Sequence, residues 1–543
     1  MLAEGAYGLR LLTAAGIYAL LAIGYQAVFG AAGALSLAQG AFFGIGAYVT
    51  GILGARHGVD GAITLVLSAL GPMALAAIVA APVLRLESHY FALATLGIAQ
   101  LALLAGVNAE SLTGGANGLS GVPGLTLFGV DVSRGWPLLA AVWGFAAVAG
   151  FLSWSWSKGA RGRALALLRE DPLAASALGI DTGALRLAAF LFAAGAGGLA
   201  GALHAHLLGV VSPEVLEFPV MIACLSMVVI GGRGNPIGAV LGALLLVQLP
   251  EFLRGIGPWY MVAYGAALLG VILFAPDGIA GAIARRLPKP MPVLPKPASP
   301  PAPHRAGASL SLRGVTKRFG GVIALNDLSL EIAPGALVGV IGPNGSGKTT
   351  LINAICGLYR PETGDVHLDG KSTQTRMPHD IALLGVARCF QAPRLLDQAT
   401  ALDNVALAAR GSGRAEGLAL HVLDRMGASE FALRPCAGLP GGVRRRVEIA
   451  RALAMSPSLL LLDEPAAGLA PEEQADLAAR LGALNAEGLT IVVVEHSVPF
   501  LKLLARRLVC LVEGRAVADG PPDEVTRNPL VVDAYLGRNW KRT

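Results

Sequence analysis

The chain has 543 residues, of which 54% are hydrophobic and only 14% charged, and its mean hydropathy of +0.62 is too high for a water-soluble protein of ordinary composition. A formal net charge of +6 does not make it a nucleic-acid protein, because several basic residues stand at the edges of apolar runs and no basic domain is interleaved with aromatics. The five cysteines, Cys224, Cys356, Cys389, Cys436 and Cys510, are widely spaced and lack any CxxC or His-paired pattern, which argues for reduced, structural thiols and against a disulfide framework or zinc site.

Long Ala/Gly/Leu/Val runs dominate residues 1–285, whereas residues 309–543 mix charged and apolar residues as a globular domain does. A membrane span needs about 20 apolar residues. About nine stretches qualify, near 8–30, 35–55, 62–84, 90–108, 137–156, 186–208, 217–232, 236–254 and 259–282. The first lacks a basic flank and leads into further spans, so it reads as a membrane helix and not as a cleavable signal. Gly40, Gly44 and Gly46 in QGAFFGIGA, like Gly197 and Gly201 in AAGAGGLAG, leave flat helix faces that let backbones approach. Gln26, Gln39, Gln100, His204, His206 and Gln248 lie within or near spans, where an unpartnered polar group is costly. Interhelical hydrogen bonds are the favoured role for them over contact with a solute.

The loop SKGARGRALALLREDP, 157–172, carries Lys158, Arg161, Arg163 and Arg169, and with Arg285, Arg286 and Lys289 it belongs on the cytoplasmic side. Nine spans then put the N-terminus outside and the C-terminal domain in the cytoplasm. Within this loop Asp171 is predicted to cap a two-turn helix, with Pro172 at its first position, then Leu173, Ala174, Ala175, Ser176, Ala177 and Leu178, and Gly179 ending it. Such a helix is a docking knob if a cytoplasmic motor is attached, and an amphipathic connector if none is.

The stretch RRLPKPMPVLPKPASPPAPHRAGA, 285–308, is a linker, since its prolines favour an extended, semi-rigid chain without a core. It divides a membrane domain, 1–284, from a globular domain, 309–543.

The globular domain carries the motor. LVGVIGPNGSGKTTLINAICGL, 337–358, is an apolar strand, the GxxxxGK[ST] loop and a helical pattern. Gly342, Pro343, Asn344, Gly345, Ser346 and Gly347 form a loop whose backbone N–H groups can wrap phosphates. Lys348 adds a point charge near the β and γ phosphates, and Thr349, followed by Thr350, offers a hydroxyl to Mg²⁺. About 115 residues on, LLLLDEP supplies a buried strand that ends in Asp463, placed to hold Mg²⁺ through its water shell, and Glu464, placed to polarise the attacking water. The strand pattern LTIVVVEH brings His496 to the γ-phosphate edge of the sheet. Gln391 in RCFQAPRLL can reach both metal and water, and Phe319 in KRFGG can stack on adenine.

This set, in this order, resembles the ATPase of ABC transporters over residues 309–538. The resemblance implies that LPGGV, Leu439, Pro440, Gly441, Gly442 and Val443, is the signature motif, that Gln391 is the Q-loop residue and that His496 is the switch histidine. It implies further that two such domains pair head to tail, each ATP lying between one domain's phosphate loop and the other's signature. DEPAAGL, VTKRFGGVIALNDLSL and FQAPRLL resemble the ATPase of branched-chain amino acid importers. LSLAQGAFFGIGAYV, HYFALATLGIAQ, TGGANGLSG, LREDPLAASALGI, VSPE and VVIGGRGNPIGAVLGALLL resemble the second permease subunit of the same importers. The expected fold is thus a polytopic α-helical membrane domain joined to an α/β P-loop ATPase, with 171–178 as the coupling helix. The expected setting is the bacterial cytoplasmic membrane, with ATP, Mg²⁺, membrane lipid, a periplasmic solute-binding protein and a second permease and ATPase, or a second copy of this chain.

The signature departs from the common LSGGQ in Pro440 and Val443. A hydrogen bond to a charged group is worth about 1.5–3 kcal/mol, roughly ten- to a hundredfold in rate if made only in the transition state. Both glycines and the helix pattern after them remain, which leaves a weakened site and not an abolished one. Ala470 stands where many ABC ATPases carry an acid that communicates between sites, though the branched-chain type often lacks it too. Two alternatives stay open: an importer of urea, short amides or other amino acids, and a regulatory, poorly hydrolysing subunit.

Overall fold

The computed structural model describes residues 5–84, 86, 88–286, 306–409 and 415–536. Most of the expected linker, 287–305 with its Lys289, lies outside the described residues. The backbone divides into two compact units, Met1–Glu170 with Thr182–Pro290, and Asp171–Asp181 with Met291–Thr543. The short segment predicted as a docking knob therefore groups with the globular residues.

Among the described residues of the first unit six helices are long and apolar enough to cross a membrane: Ala6–Ala31, Gly61–Val83, His89–Asn108, Gly135–Trp156, Thr182–Leu208 and Pro236–Leu253. A seventh span is possible if Val262–Phe274 and Gly278–Arg286, bent by 47°, count as one. The count thus differs from the nine apolar stretches. The stretch 35–55 folds as Gln39–Gly51 running into a π-helical turn, Ile52–Arg56. The stretch 217–232 folds as Phe218–Gly231, 14 residues with Pro219 in its first turn and Gly232 at φ +115 closing it. At about 1.5 Å per residue the 14-residue helix falls short of a hydrocarbon core of about 30 Å.

Helix Thr182–Leu208 packs against Ala6–Tyr25, Gln39–Gly51 and Gly61–Val83, and its glycines explain how. A Cβ on Gly46 would land on the backbone of Gly198, and one on Gly201 would land on the Phe43 carbonyl. The bare backbones thus meet where a side chain would hold them apart. Gln39 donates from Nε2 to the Ala193 carbonyl at 3.0 Å and the Leu21 carbonyl at 3.3 Å, and Gln26 donates to the Gly232 and Asn235 carbonyls, both at 2.7 Å. His206 Nδ1 lies 2.8 Å from the Pro123 carbonyl. Gln39 is thus an interhelical tie of the kind expected of polar groups in spans, and His206 reaches a second helix through Thr64 Oγ1 at 3.4 Å, whereas Gln26 is held by the turn between Phe218–Gly231 and Pro236–Leu253. Gln100 is instead exposed, and the buried His204 Nδ1 and Gln248 amide have no hydrogen-bond partner among the described residues.

The second unit contains two sheets. A four-stranded antiparallel sheet runs in the order Val322–Ile332, Leu310–Phe319, Thr363–Leu368, Lys371–Ser372. A six-stranded sheet runs Val386–Cys389, Leu459–Asp463, Thr490–Val494, Leu337–Ile341, Arg507–Val512, Arg515–Gly520, parallel except at the last pair. Its three central strands are buried at every residue, as continuous Leu/Val/Ile runs covered on both faces require. All five cysteines are free and buried.

Adding a side chain where two backbones touch forces the helices apart. Gly201→Val is expected to destabilise the first unit by roughly 1–3 kcal/mol, read as a lower thermal midpoint of the full chain in detergent, with Gly5→Val, whose Cβ meets nothing, as the silent control.

Candidate functional site: an ATPase centre at one sheet edge

Four neighbouring parallel strands end at the same edge, so their carboxyl ends deliver the chemistry together. In spatial order these are Val386–Cys389 leading to Gln391, Leu459–Asp463 to Glu464, Thr490–Val494 to Glu495 and His496, and Leu337–Ile341 to the phosphate loop. Backbone pairing fixes the alignment, with Asp463 opposite Val494 and Val494 opposite Val340.

The phosphate loop is held at several points. Lys348 opens the helix Lys348–Ile355, and its Nζ donates back to the Gly342 carbonyl at 2.7 Å and the Pro343 carbonyl at 2.9 Å. The Gly514 N–H donates to the Ser346 carbonyl at 3.0 Å, and the Gly342 N–H donates to the Tyr535 hydroxyl at 2.8 Å. Gly347, at φ +101, turns the chain into the helix. Ser346 Oγ is buried without a partner among the described residues, and Asn344, Gly345 and Thr349 are exposed. Burial lowers the Lys348 pKa, and the carboxylates of Glu464 and Asp463 oppose that shift. The loop therefore offers a buried cation, an unused hydroxyl and open space, a cradle suited to phosphate.

Asp463 is 4% exposed. Burial pushes its carboxyl up, against the pull of Arg388, whose guanidinium lies 3.6 Å away and also donates to Asn353 Oδ1 at 2.5 Å. Glu464 has φ +48, an uncommon conformation for a residue with a Cβ and a form of strain that collects at functional sites. Its N–H donates to the Val494 carbonyl at 2.8 Å, which holds the strained residue to the neighbouring strand. Its carboxylate accepts from Gln391 Nε2 at 2.9 Å and lies 3.0 Å from His496 Nε2. Gln391, Glu464 and His496 thus form one cluster. Phe319 stands exposed at the end of its strand, its ring edge-on to Tyr359 at 4.9 Å with the Lys317 ammonium 5.5 Å from its centroid.

Leu439, Pro440, Gly441, Gly442 and Val443, expected to be the signature, do not join this cluster. Pro440 begins the helix Gly441–Leu453 and gives it no side-chain cap. The helix reaches the site further along, through residues that belong to none of the motifs named above. Arg445 donates to the Phe390 carbonyl at 2.5 Å, to Glu448 Oε2 at 3.1 Å, to the Glu464 carbonyl at 3.3 Å and to the Gln391 carbonyl. Glu448 Oε1 accepts the N–H groups of Phe390 at 3.2 Å and Arg394 at 3.3 Å. Burial raises the Glu448 pKa and lowers that of Arg451, and each charge partly restores the other. The signal was present in the spacing, because 445, 448 and 451 share one helical face with buried Val447, Ile449 and Ala452 close by. Glu495, 3% exposed, was also missed; it accepts from the Ala466 N–H at 2.7 Å and the His496 N–H at 3.0 Å.

Within the second unit Asp171 caps the helix Pro172–Ala177 through the Ala174 N–H at 3.0 Å, and Gly179 follows at φ +70. The same carboxylate pairs with Arg394 at 2.6 Å, three residues past Gln391. At the far end of the segment Asp181 Oδ2 lies 3.7 Å from His379 Nε2.

Residues 7–275 match the family model described as the permease component of the branched-chain amino acid transport system, 325–467 the ABC transporter model, and 517–540 the model of the branched-chain amino acid ATP-binding cassette transporter. The high-affinity branched-chain amino acid transport ATP-binding protein BraF of Pseudomonas aeruginosa is 38% identical over 248 residues, 42% of this chain and 97% of BraF. The chain belongs to the branched-chain amino acid ABC transporter family. LivG of Escherichia coli K12, with the same function in its name, is 36% identical over 42% of this chain and 97% of LivG. The lipopolysaccharide export ATP-binding protein LptB of Acidithiobacillus ferridurans is 34% identical over 43% of this chain and 98% of LptB. The transporter is thus a membrane-embedded protein whose ABC domain binds ATP and couples its hydrolysis to transport.

Glu448→Gln removes the counter-charge of two buried guanidinium groups. Its expected cost is about 3–5 kcal/mol, read as a fall of several degrees in the thermal midpoint of the transporter, while Glu472→Gln, a charge change on an exposed helix turn, leaves it unchanged.

Proposed function

We propose that this transporter imports branched-chain or closely related amino acids across the bacterial cytoplasmic membrane, with its ATPase domain in the cytoplasm. The observation that carries the reading is a permease match and a composed ATPase centre within one chain. The ATPase likeness alone does not choose a cargo, since a relative named for lipopolysaccharide export is nearly as similar; the permease match favours amino acids. One permease and one ATPase per chain call for a second permease and a second ATPase, or a second copy, and a periplasmic solute-binding protein that delivers the solute.

In the proposed cycle the phosphate loop takes the triphosphate, and Lys348 transfers its hydrogen bonds from the Gly342 and Pro343 carbonyls to phosphate oxygens. Phe319 stacks on the adenine. Glu464 accepts the proton of the attacking water, its carboxylate oriented from one side by Gln391 and from the other by His496. The hydroxyl of Thr349, the amide oxygen of Gln391 and the carboxylate of Asp463 are hard oxygen donors that suit Mg²⁺, which would neutralise charge on the phosphates. Leu439 to Val443 serve the ATP of the partner domain, with the N–H groups at the start of the helix facing its γ-phosphate. The helix 172–177 moves with its own ATPase through the Asp171–Arg394 pair, which makes it the coupling element.

Reconstituted with its partner subunits and binding protein in vesicles, the transporter should accumulate radiolabelled leucine only with ATP. Glu464→Gln should lower turnover by about 10²–10⁴-fold and leave ATP binding in place; undiminished turnover would remove Glu464 from the role of base. A panel of solutes that moves urea or short amides in preference to branched-chain amino acids would overturn the cargo.

The Asp171–Arg394 pair is partly solvated, at 20% and 39% side-chain exposure, so its loss should change stability by less than about 1 kcal/mol. Arg394→Gln is expected to cut solute moved per ATP hydrolysed while the thermal midpoint stays put. An unchanged ratio would show that the pair does not couple.

A further inference from the structure

Helix Pro529–Leu536 lies in the C-terminal segment matched by its own branched-chain model, and no step of the cycle above uses it. Yet its Tyr535 is bonded to the first residue of the phosphate loop, 193 positions away, with the Gly342 N–H donating to the phenol oxygen at 2.8 Å. Gly342 is wedged in place. A Cβ there would strike the Leu511 carbonyl of the adjacent strand and come within 2.6 Å of Ser346 Oγ. Its own carbonyl accepts from Lys348 Nζ. Two side chains therefore hold the peptide groups on either side of Gly342, one from the loop's helix and one from the C-terminal helix.

The two holds respond differently to nucleotide. Lys348 is the cation that phosphate attracts, and it must release the Gly342 and Pro343 carbonyls to reach it. The Gly342 N–H stands at the strand end of the loop, ahead of the donors at the helix N-terminus that face an anion, so Tyr535 has no reason to let go. Burial raises the Tyr535 pKa, and the phenol stays neutral at any physiological pH.

We propose that Tyr535 is a positioning residue of the ATPase centre: its phenol oxygen anchors the entrance of the phosphate loop through Gly342, and keeps the loop in its phosphate-ready shape once Lys348 has turned to the nucleotide. The C-terminal helix is then a working part of the ATP site. The inference rests on the reading of 342–349 as the phosphate loop, which wild-type turnover tests separately.

The test is the ATP dependence of turnover and the thermal midpoint with and without MgATP, on the full chain in its reconstituted complex. Tyr535→Phe keeps the ring and removes the acceptor. A neutral hydrogen bond of ordinary net strength predicts an ATP KM about three- to tenfold higher, with kcat nearly unchanged, a smaller thermal gain from MgATP and, because the bond is present without nucleotide as well, a small fall of the midpoint without it. Val531→Ala, at a position 4% exposed on the same helix, loosens the docking of the helix without touching the phenol and should lower the nucleotide-free midpoint with little change in KM. An unchanged KM in Tyr535→Phe overturns the proposal. So does a KM rise that Val531→Ala reproduces in full, because the contact would then be helix packing and not the phenol oxygen.

Discussion

The ATP centre depends on one buried charge pair. Arg445 and Glu448 stand 3.1 Å apart, with side chains 5% and 1% exposed, and between them they take hold of Phe390, Gln391, Arg394 and Glu464 by backbone groups. A pair so deeply desolvated adds little net stability compared with well-packed apolar side chains. Its effect is positional. Three segments distant in sequence, the loop after Val386–Cys389, the end of Leu459–Asp463 and the helix after the signature, become one body because their main chains converge on two side chains. The carboxylate cluster of Gln391, Glu464 and His496 is arranged on that body, and the left-handed backbone of Glu464 is tolerated because the Val494 and Arg445 contacts fix both ends of the residue.

The same body extends to the segment 171–181. Arg394 gives its N–H to Glu448 and its guanidinium to Asp171, so a contiguous line of hydrogen bonds runs from the cap of Pro172–Ala177 through Glu448 and Arg445 to the carbonyl of Glu464. Each link is a charge-assisted bond, stronger than a neutral one and demanding in direction. The proposed coupling has this physical content in the second unit: the cap of a short helix and the backbone of the proposed base share an anchor.

What the sequence made legible was local. The strand, loop and helix of 337–355, the buried strand that ends in Asp463 and the helix between Asp171 and Gly179 are each specified by a contiguous run, and each has the local structure its pattern called for. The long-range partners carry no such pattern. Arg394 meets Asp171 across 223 positions and Tyr535 meets Gly342 across 193, and only a folded sheet brings those residues together. Arg445, Glu448 and Arg451 lie between, since their three-residue spacing on one face was readable, but their burial was not. In the first unit the apolar runs were correctly located, yet hydropathy reports composition and not length. Pro219 and Gly232 set the ends of one helix, so fewer runs become full-length spans than the count of apolar stretches suggests.

The altered signature fits the same logic. Pro440 at φ −56 and ψ 152 starts the helix in an extended conformation, common for a residue that precedes a helix, and the Arg444 N–H closes the first turn onto its carbonyl at 2.9 Å. What proline lacks is the oxygen that would satisfy the next N–H groups from within. Those donors at the start of Gly441–Leu453 are consequently uncapped by any side chain of Pro440, and an uncapped helix start is what an anion binds. The substitution thus removes one donor to the phosphate while leaving the backbone donors unclaimed. On the proposed head-to-tail pairing the loss falls on the partner's ATP, because Lys348, Asp463 and Glu464, which serve the chain's own nucleotide, are complete. On that proposal the chain is asymmetric in function, complete in the half-site it catalyses and short of one hydroxyl in the half-site it completes.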